Sequence, residues 1–216
     1  MKTDRTTLKR LPERGSHERD DVAAILDEAL ICHLGLVDDQ GRPFVIPTIH
    51  ARDGDVLYVH GSPASRALRA GNGVDVCVVA TIVDGLVLAR SAFHHSMNYR
   101  SVVVYGRAER IEDPAEKVAA LERIVDHVLA GRNDGCREPN EKEVKGTLVL
   151  RLSLDEASAK VRAGGPKDDD EDMELPVWAG HVPLRVVAGD PVPAEDLWAG
   201  APAWPGYELG RASKSP

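Results

Sequence analysis

Apolar and polar positions alternate along much of the first 160 residues, and the period changes at a few places. The runs "ICHLGLV", "FVIPTIHA", "DVLYVH", "VDVCVVATIV" and "YRSVVVYGRAERI" are rich in β-branched residues and are separated by turn formers such as "DDQGRP" and "RDGD", which reads as strands. The short turns between the first three imply antiparallel hairpins. In "RDDVAAILDEAL", Val22, Ile25, Leu26 and Ala29 take helical spacing behind Asp20 and Asp21, an acidic start that suits a helix N-terminus. A second helical stretch, "SPASRALRAG", interrupts the strands. A longer one at 114–130 places Val118, Leu121, Val125 and Val128 on one face. The run "TLVLRLSL" returns as a last strand.

Many short strands with few helices predict a mainly β fold with peripheral helices. A closed or nearly closed antiparallel barrel over about residues 31–154 would leave no exposed edges. Residues 1–18 are polar and read as an arm draped over the fold or a partner, and 19–165 as the barrel domain. Residues 166–216 read as an acidic, solvated linker ("GGPKDDDEDMELP") followed by a C-terminal strap with a frayed, disordered end. No internal repeat is present.

The chain of 216 residues is long enough for a proper core. Its 27 Lys and Arg against 35 Asp and Glu, a net charge of -8, argue against nucleic-acid binding, which draws on clustered cations. Cys32, Cys77 and Cys136 are an odd count without metal-ligand spacing, so neither a disulfide framework nor a zinc site is expected. Cys32 and Cys77 sit in apolar runs and read as packed hydrophobes. With no apolar leader and no run long enough to span a bilayer, no membrane partner and a cytoplasmic location are expected.

The chemistry concentrates in "HGSPASRALRAG". Ser62 is placed to cap a helix whose first residue is Pro63. The free N–H groups of that start, the hydroxyls of Ser62 and Ser65 and the guanidinium of Arg66 would lie within a turn of one another, with Arg69 lining the same face, and together they make an anion site. The alternative is an ordinary helix cap followed by solvated arginines. In "RSAFHHSMNYRS", His94 and His95 stand among polar donors before a strand, which suggests a pocket wall; the alternative is a loop bonded to its own backbone. As a metal site the pair is poor, because neighbouring side chains of an extended chain point to opposite faces and no third ligand is evident. His33 and His50 read as structural, and His17, His127 and His181 carry no signal.

The order of strand "FVIPTIHA", turn "RDGD", strand "VLYVH", helix "GSPASRALRA", strand "VCVVATI" and strand "YRSVVVYGRAERIEDPAEK" resembles the FMN-binding split barrels of the pyridoxamine 5'-phosphate oxidase superfamily. Within it, "YVHGSPASRALRA" and "YRSVVVYGRA" look most like the nitroimidazole-resistance flavoproteins, over about residues 11–165. The resemblance implies a six-stranded antiparallel split β-barrel of Greek-key order, a homodimer with flavin at the subunit interface, and FMN as cofactor. Pro47, Thr48 and Ile49 would lie nearest the isoalloxazine, Val59 and His60 would border the ribityl chain and ring edge, and Ser65 and Arg66 would hold the phosphate. His60 would be the catalytic candidate, since a histidine switches its proton near neutral pH; the alternative is a structural histidine bonded to backbone. His94 or His95 would approach the partner's cofactor. Ser101 matches a flavin-contacting position that holds Gln in the oxidases, and Trp178, by likeness to a late tryptophan of their active site, would be a lid residue; the alternative is a tryptophan that anchors the C-terminal strap to the barrel or the partner. Ile49 and Ala67 stand where the oxidases carry basic residues, and their substrate-gripping Arg and His have no counterpart here, so pyridoxamine phosphate oxidation itself is not expected. The expected function is an FMN-dependent oxidoreductase acting on a small organic acceptor. The alternatives are a flavin- or haem-binding protein without turnover, with His94 or His95 as iron ligand, and a deazaflavin-dependent reductase.

Overall fold

The computed structural model describes residues 2–207. In chain order the elements are β1 (Gly15–Ser16), α1 (Arg19–Glu28), β2 (Cys32–Val37), β3 (Pro43–Thr48), β4 (His50–Asp53), β5 (Val56–Gly61), α2 (Arg66–Gly71), β6 (Asp75–Leu88), β7 (Ser96–Arg107), β8 (Glu109–Arg110), α3 (Pro114–Val128), α4 (Glu141–Lys145), β9 (Leu148–Ser153), β10 (Glu156–Arg162) and β11 (Gly180–Pro183). One sheet runs β1-β10-β7-β6-β2-β3, with β11 added on β6; the other runs β4-β5-β9-β8. The pairings are antiparallel. The expected mainly β split barrel is present. No helix among the described residues is long and apolar enough to cross a membrane.

The two sheets enclose one main core in which Leu26, Leu34, Leu57, Leu68, Val78, Val102 and Leu150 are buried. On β2 the inward positions are Cys32, Leu34 and Leu36, the period-2 pattern of a strand with one buried face. Burial pushes the Cys32 thiol up to about 12, so it packs as an inert hydrophobe. Besides the two-residue β1 in the N-terminal arm, which pairs with β10, two strands escape the sequence pattern. β10, "EASAKVR", has weak strand propensity, but Ala157 and Ala159 are small enough to bury in the core while the strand pairs with β7. β11 reaches β6 where Gly85 leaves room: a Cβ there would stand 2.8 Å from the Val182 carbonyl oxygen.

Helix α3 corrects an expectation. The face it buries is Lys117, Ala120, Ile124 and His127, not Val118, Leu121, Val125 and Val128. Leu121 alone of these four packs, partly buried, against the small cluster of Ile111, Ala120 and Val149; with Val125 it also borders a groove of about 330 Å³ beside Cys136 and Arg137, and Val128 is exposed. The face is chosen by what the helix meets. His127 donates from Nε2 to the Ala29 carbonyl (2.9 Å), and His50 donates from Nε2 to the Leu26 carbonyl (2.9 Å). The two rings lie 4.6 Å apart and together satisfy carbonyls left free at the end of α1.

The acidic stretch after β10 is not solvated throughout. The Asp168 side chain is nearly inaccessible (1%) and binds Arg90, accepting from its backbone N–H (2.8 Å) and its guanidinium (2.9 Å). The expected frayed end at 211–216 lies outside the described residues.

Candidate functional site

The β5–α2 junction is built by its glycine. A Cβ on Gly61 would come within 2.7 Å of Leu68 Cδ1, so glycine lets α2 pack down and bury Ala67 and Leu68. The chain first turns on Ser62: the Ala64 N–H donates to Ser62 Oγ (3.1 Å) and the Ser65 N–H to the Ser62 carbonyl (2.8 Å). The cap is therefore Ser65, whose Oγ accepts from the Leu68 N–H (3.4 Å). The helix begins at Arg66, three residues later than the Ser62–Pro63 start expected from sequence, because the Ser62 hydroxyl is engaged by the preceding turn.

Ser62, Arg66 and Arg69 are exposed and Ser65 is half-buried. The Arg66 guanidinium lies over the Phe44 ring, 4.8 Å from its centroid, which holds it across the face of β3. Neither Arg66 nor Arg69 has a carboxylate partner among the described residues, whereas Arg52 is held by Asp27 (2.5 Å) and Arg100 by Glu28 and Asp84 (2.7 Å to Asp84). In a chain of net charge -8, two guanidiniums without a carboxylate partner among the described residues, on a helix that starts beside the exposed Ser62, suit an anion.

β3 borders this site and ends its sheet. Its Pro43 and Pro47 suit an edge, and Pro47 is exposed with Thr48 and Ile49 half-buried. Val59 is only 5% exposed within the core, which leaves its main chain, not its side chain, to border a ligand. His60 is half-buried and its Nδ1 is enclosed without a hydrogen-bond partner. Burial lowers its pKa below the ordinary histidine value, so the ring is neutral at pH 7.

A second cluster stands at the tip of the β6–β7 hairpin. Asp169 meets His94 Nε2 (3.1 Å), and His95 Nδ1 meets the Ser91 carbonyl (3.0 Å). Phe93, 88% exposed, packs edge-on to His94 at 5.2 Å. Gly180 pairs with Leu88, and Trp178, folded over Gly180, stands exposed (66%) near the same tip. Ser101 lies between the clusters, paired with Thr81 and Lys160. Its hydroxyl reaches the Lys160 carbonyl at 3.5 Å.

One chain does not unite the clusters. Register places Thr48 beside Cys32 and Cys32 beside Ala80. From that level β6 runs on to Leu88, roughly 25 Å at about 3.3 Å per residue. Sequence reasoning missed Phe44, Arg90, Asp168 and Asp169. The Arg90–Asp168 pair spans 78 residues, which no local pattern reveals. A compositional signal did exist, since the chain has only two phenylalanines and each falls at one cluster.

The chain matches the family model described as pyridoxamine 5'-phosphate oxidase over residues 18–161. Among solved structures it is similar to the flavocytochrome Anf3 from Azotobacter vinelandii, with 40% identity, coverage of 96% of this chain and 98% of that one, and a TM-score of 0.90. It is also similar to the FAD and heme binding protein from Mycobacterium smegmatis, at 37% identity, 89% and 94% coverage and a TM-score of 0.84. A proposed 5-nitroimidazole antibiotic resistance protein from Bacteroides thetaiotaomicron matches at 26% identity over 68% of this chain and 86% of that one, with a TM-score of 0.56. No curated protein matches. With a barrel that follows the expected strand order and a family match over two thirds of its length, the chain belongs to the pyridoxamine 5'-phosphate oxidase family.

Proposed function

We propose that this protein carries a flavin and a haem together and works as a redox protein. The observation that carries this reading is the extent of its similarity. The oxidase family match stops at residue 161, whereas the 40% identity to a flavocytochrome spans 96% of the chain, so it includes most of the C-terminal arm. The residues of the first cluster fit a flavin: Ser62, Ser65, Arg66 and Arg69 for phosphate, the free edge of β3 for the ring, and the half-buried His60 beside them. A bound flavin would supply two-electron chemistry and a bound haem one-electron chemistry. The protein's part is to hold the phosphate, to shield the ring and to keep His60 neutral beside it. Of the phosphorylated flavins, FAD is favoured over the FMN implied by the sequence resemblance, because the relative from Mycobacterium smegmatis binds FAD. Titration of the purified full chain with FAD, FMN, riboflavin and haemin is expected to give tight FAD binding, riboflavin at least tenfold weaker, and a Soret band with haemin. Equal affinity for riboflavin would remove the phosphate assignment. No Soret band would remove the haem.

We also propose a homodimer in which the hairpin tip of one protomer completes the flavin site of the other. Two observations support it. The clusters are too far apart along β6 to meet within one chain. The C-terminal arm, moreover, carries all three tryptophans of the chain, and these are exposed at 66%, 77% and 52%, alongside exposed Val186, Val187 and Val192. So much exposed apolar surface is unusual for a monomer and matches the exposed Val45 and Val83 of the barrel. Light scattering coupled to gel filtration is expected to give twice the chain mass of 23.4 kDa; a monomer at micromolar concentration would refute the arrangement. The three free cysteines suit the reducing cytoplasm, where we place the protein.

A further inference from the structure

We infer that His95 is the residue that ligates the haem iron, through Nε2, with the Ser91 carbonyl as the group that orients it; this rests on the haem reading above. Four observations converge. A carbonyl only accepts hydrogen bonds, so the 3.0 Å contact from His95 Nδ1 to the Ser91 oxygen places the ring proton on Nδ1 and leaves the Nε2 lone pair outward. That is the tautomer a metal needs, held as metal-binding histidines commonly are. His95 is exposed, and its Nε2 has no partner among the described residues. Its neighbours Phe93 (88% exposed) and Met97 (50% exposed) offer apolar surface of the kind a porphyrin covers. The turn is also pinned at both ends, by the backbone N–H and guanidinium of Arg90 on Asp168 and by His94 on Asp169, so the ring direction is preset.

The other histidines are excluded on the same grounds. His94 has Nε2 engaged by Asp169, and its remaining Nδ1 lies next to Cβ, where the chain itself crowds a flat macrocycle. His50 and His127 are buried and bonded to α1 carbonyls, and His17 Nε2 is bonded to the Thr6 carbonyl (3.0 Å). His33 and His181 are exposed, but among the described residues neither ring has a bonded nitrogen to fix its tautomer. His60 keeps its Nδ1 enclosed and belongs to the first cluster.

The test is a haemin titration of the full-length wild type, His95→Ala and His181→Ala, read by Soret position, by the spin state in electron paramagnetic resonance and by affinity, with FAD binding as the check on folding. Wild type and His181→Ala are expected to share one histidine-ligated spectrum. His95→Ala is expected to lose at least tenfold in haem affinity and to change spin state, and added imidazole should restore the wild-type spectrum. An unchanged spectrum and affinity in His95→Ala would overturn the ligand assignment while leaving the haem reading intact. So would loss of the ligand spectrum in His181→Ala or His94→Ala with His95→Ala unaffected. A wild type without any Soret shift would overturn the haem reading and the assignment with it.

Discussion

Arg66→Ala is expected to weaken FAD and FMN binding roughly 10- to 100-fold, the effect of losing one charge-assisted hydrogen bond of about 1.5–3 kcal/mol, while riboflavin affinity stays within about twofold. Arg66→Glu should cost more, because a like charge then faces the phosphate. Arg66 is suited to this comparison because it is exposed and lacks a carboxylate partner. Its one described contact is the Phe44 ring at 4.8 Å, worth about 0.5–1 kcal/mol at an exposed site, so folding should survive the change. Arg69→Ala should follow the same direction with a smaller effect, since it lies a turn further from the cap at Ser65. Fluorescence titrations with the three flavins decide it. If Arg66→Ala leaves FAD and FMN affinity unchanged, the phosphate does not sit at this helix start.

Acidification from pH 6.5 to about 4 is expected to remove about 3 kcal/mol of stability through His50 alone. Its Nε2–H donates to the Leu26 carbonyl, while Nδ1 is enclosed without a partner. Protonation would therefore bury a charge and an unsatisfied donor. Burial, with His127 close by as a second cause, lowers its pKa from 6.5 to about 4. The unfolded chain takes up this proton below 6.5 and the folded chain only near 4. Stability is thus fully present above pH 6.5 and falls by up to about 3 kcal/mol across that window. His60, lowered by burial, acts in the same direction. The depressed carboxylates Asp38, Glu143, Asp155, Glu156 and Asp168 begin to lose their contribution as pH falls below the ordinary carboxylate range and finish at their lower folded values, so they overlap only the acid end of the histidine window, and the slope between pH 7 and 5 belongs to the histidines. Urea unfolding at pH 7, 6, 5 and 4.5 should show this slope in the wild type and a flatter one in His50→Gln, which keeps a donor for Leu26 without a titrating ring. Equal slopes would show that His50 is not the source.

Much of the barrel is legible in the chain because strand alternation is a local property. The inward Cys32, Leu34 and Leu36 of β2 and the hairpins around "DDQGRP" and "RDGD" follow from side chains that must face a core or water in turn and from turn residues between them, while the barrel order comes from the family resemblance. The helices were less legible. Whether Ser62 or Ser65 caps α2 depends on which hydroxyl the preceding turn engages. The buried face of α3 turned toward His50 and the α1 carbonyls, a polar attraction that hydrophobic spacing does not carry.

By itself the sequence determined the mainly β barrel, the serines and arginines gathered in "GSPASRALRAG", the paired histidines before the β7 strand and the family likeness, since each rests on residues close together in the chain. Only the tertiary structure decided that Arg66 lies over Phe44, that Asp168 and Asp169 pin the turn carrying His94 and His95, that His95 Nδ1 meets the Ser91 carbonyl, and that the two clusters stand at separate levels of one long sheet. Those are contacts between residues far apart in sequence, and their geometry is set by strand register and packing, which no local pattern encodes.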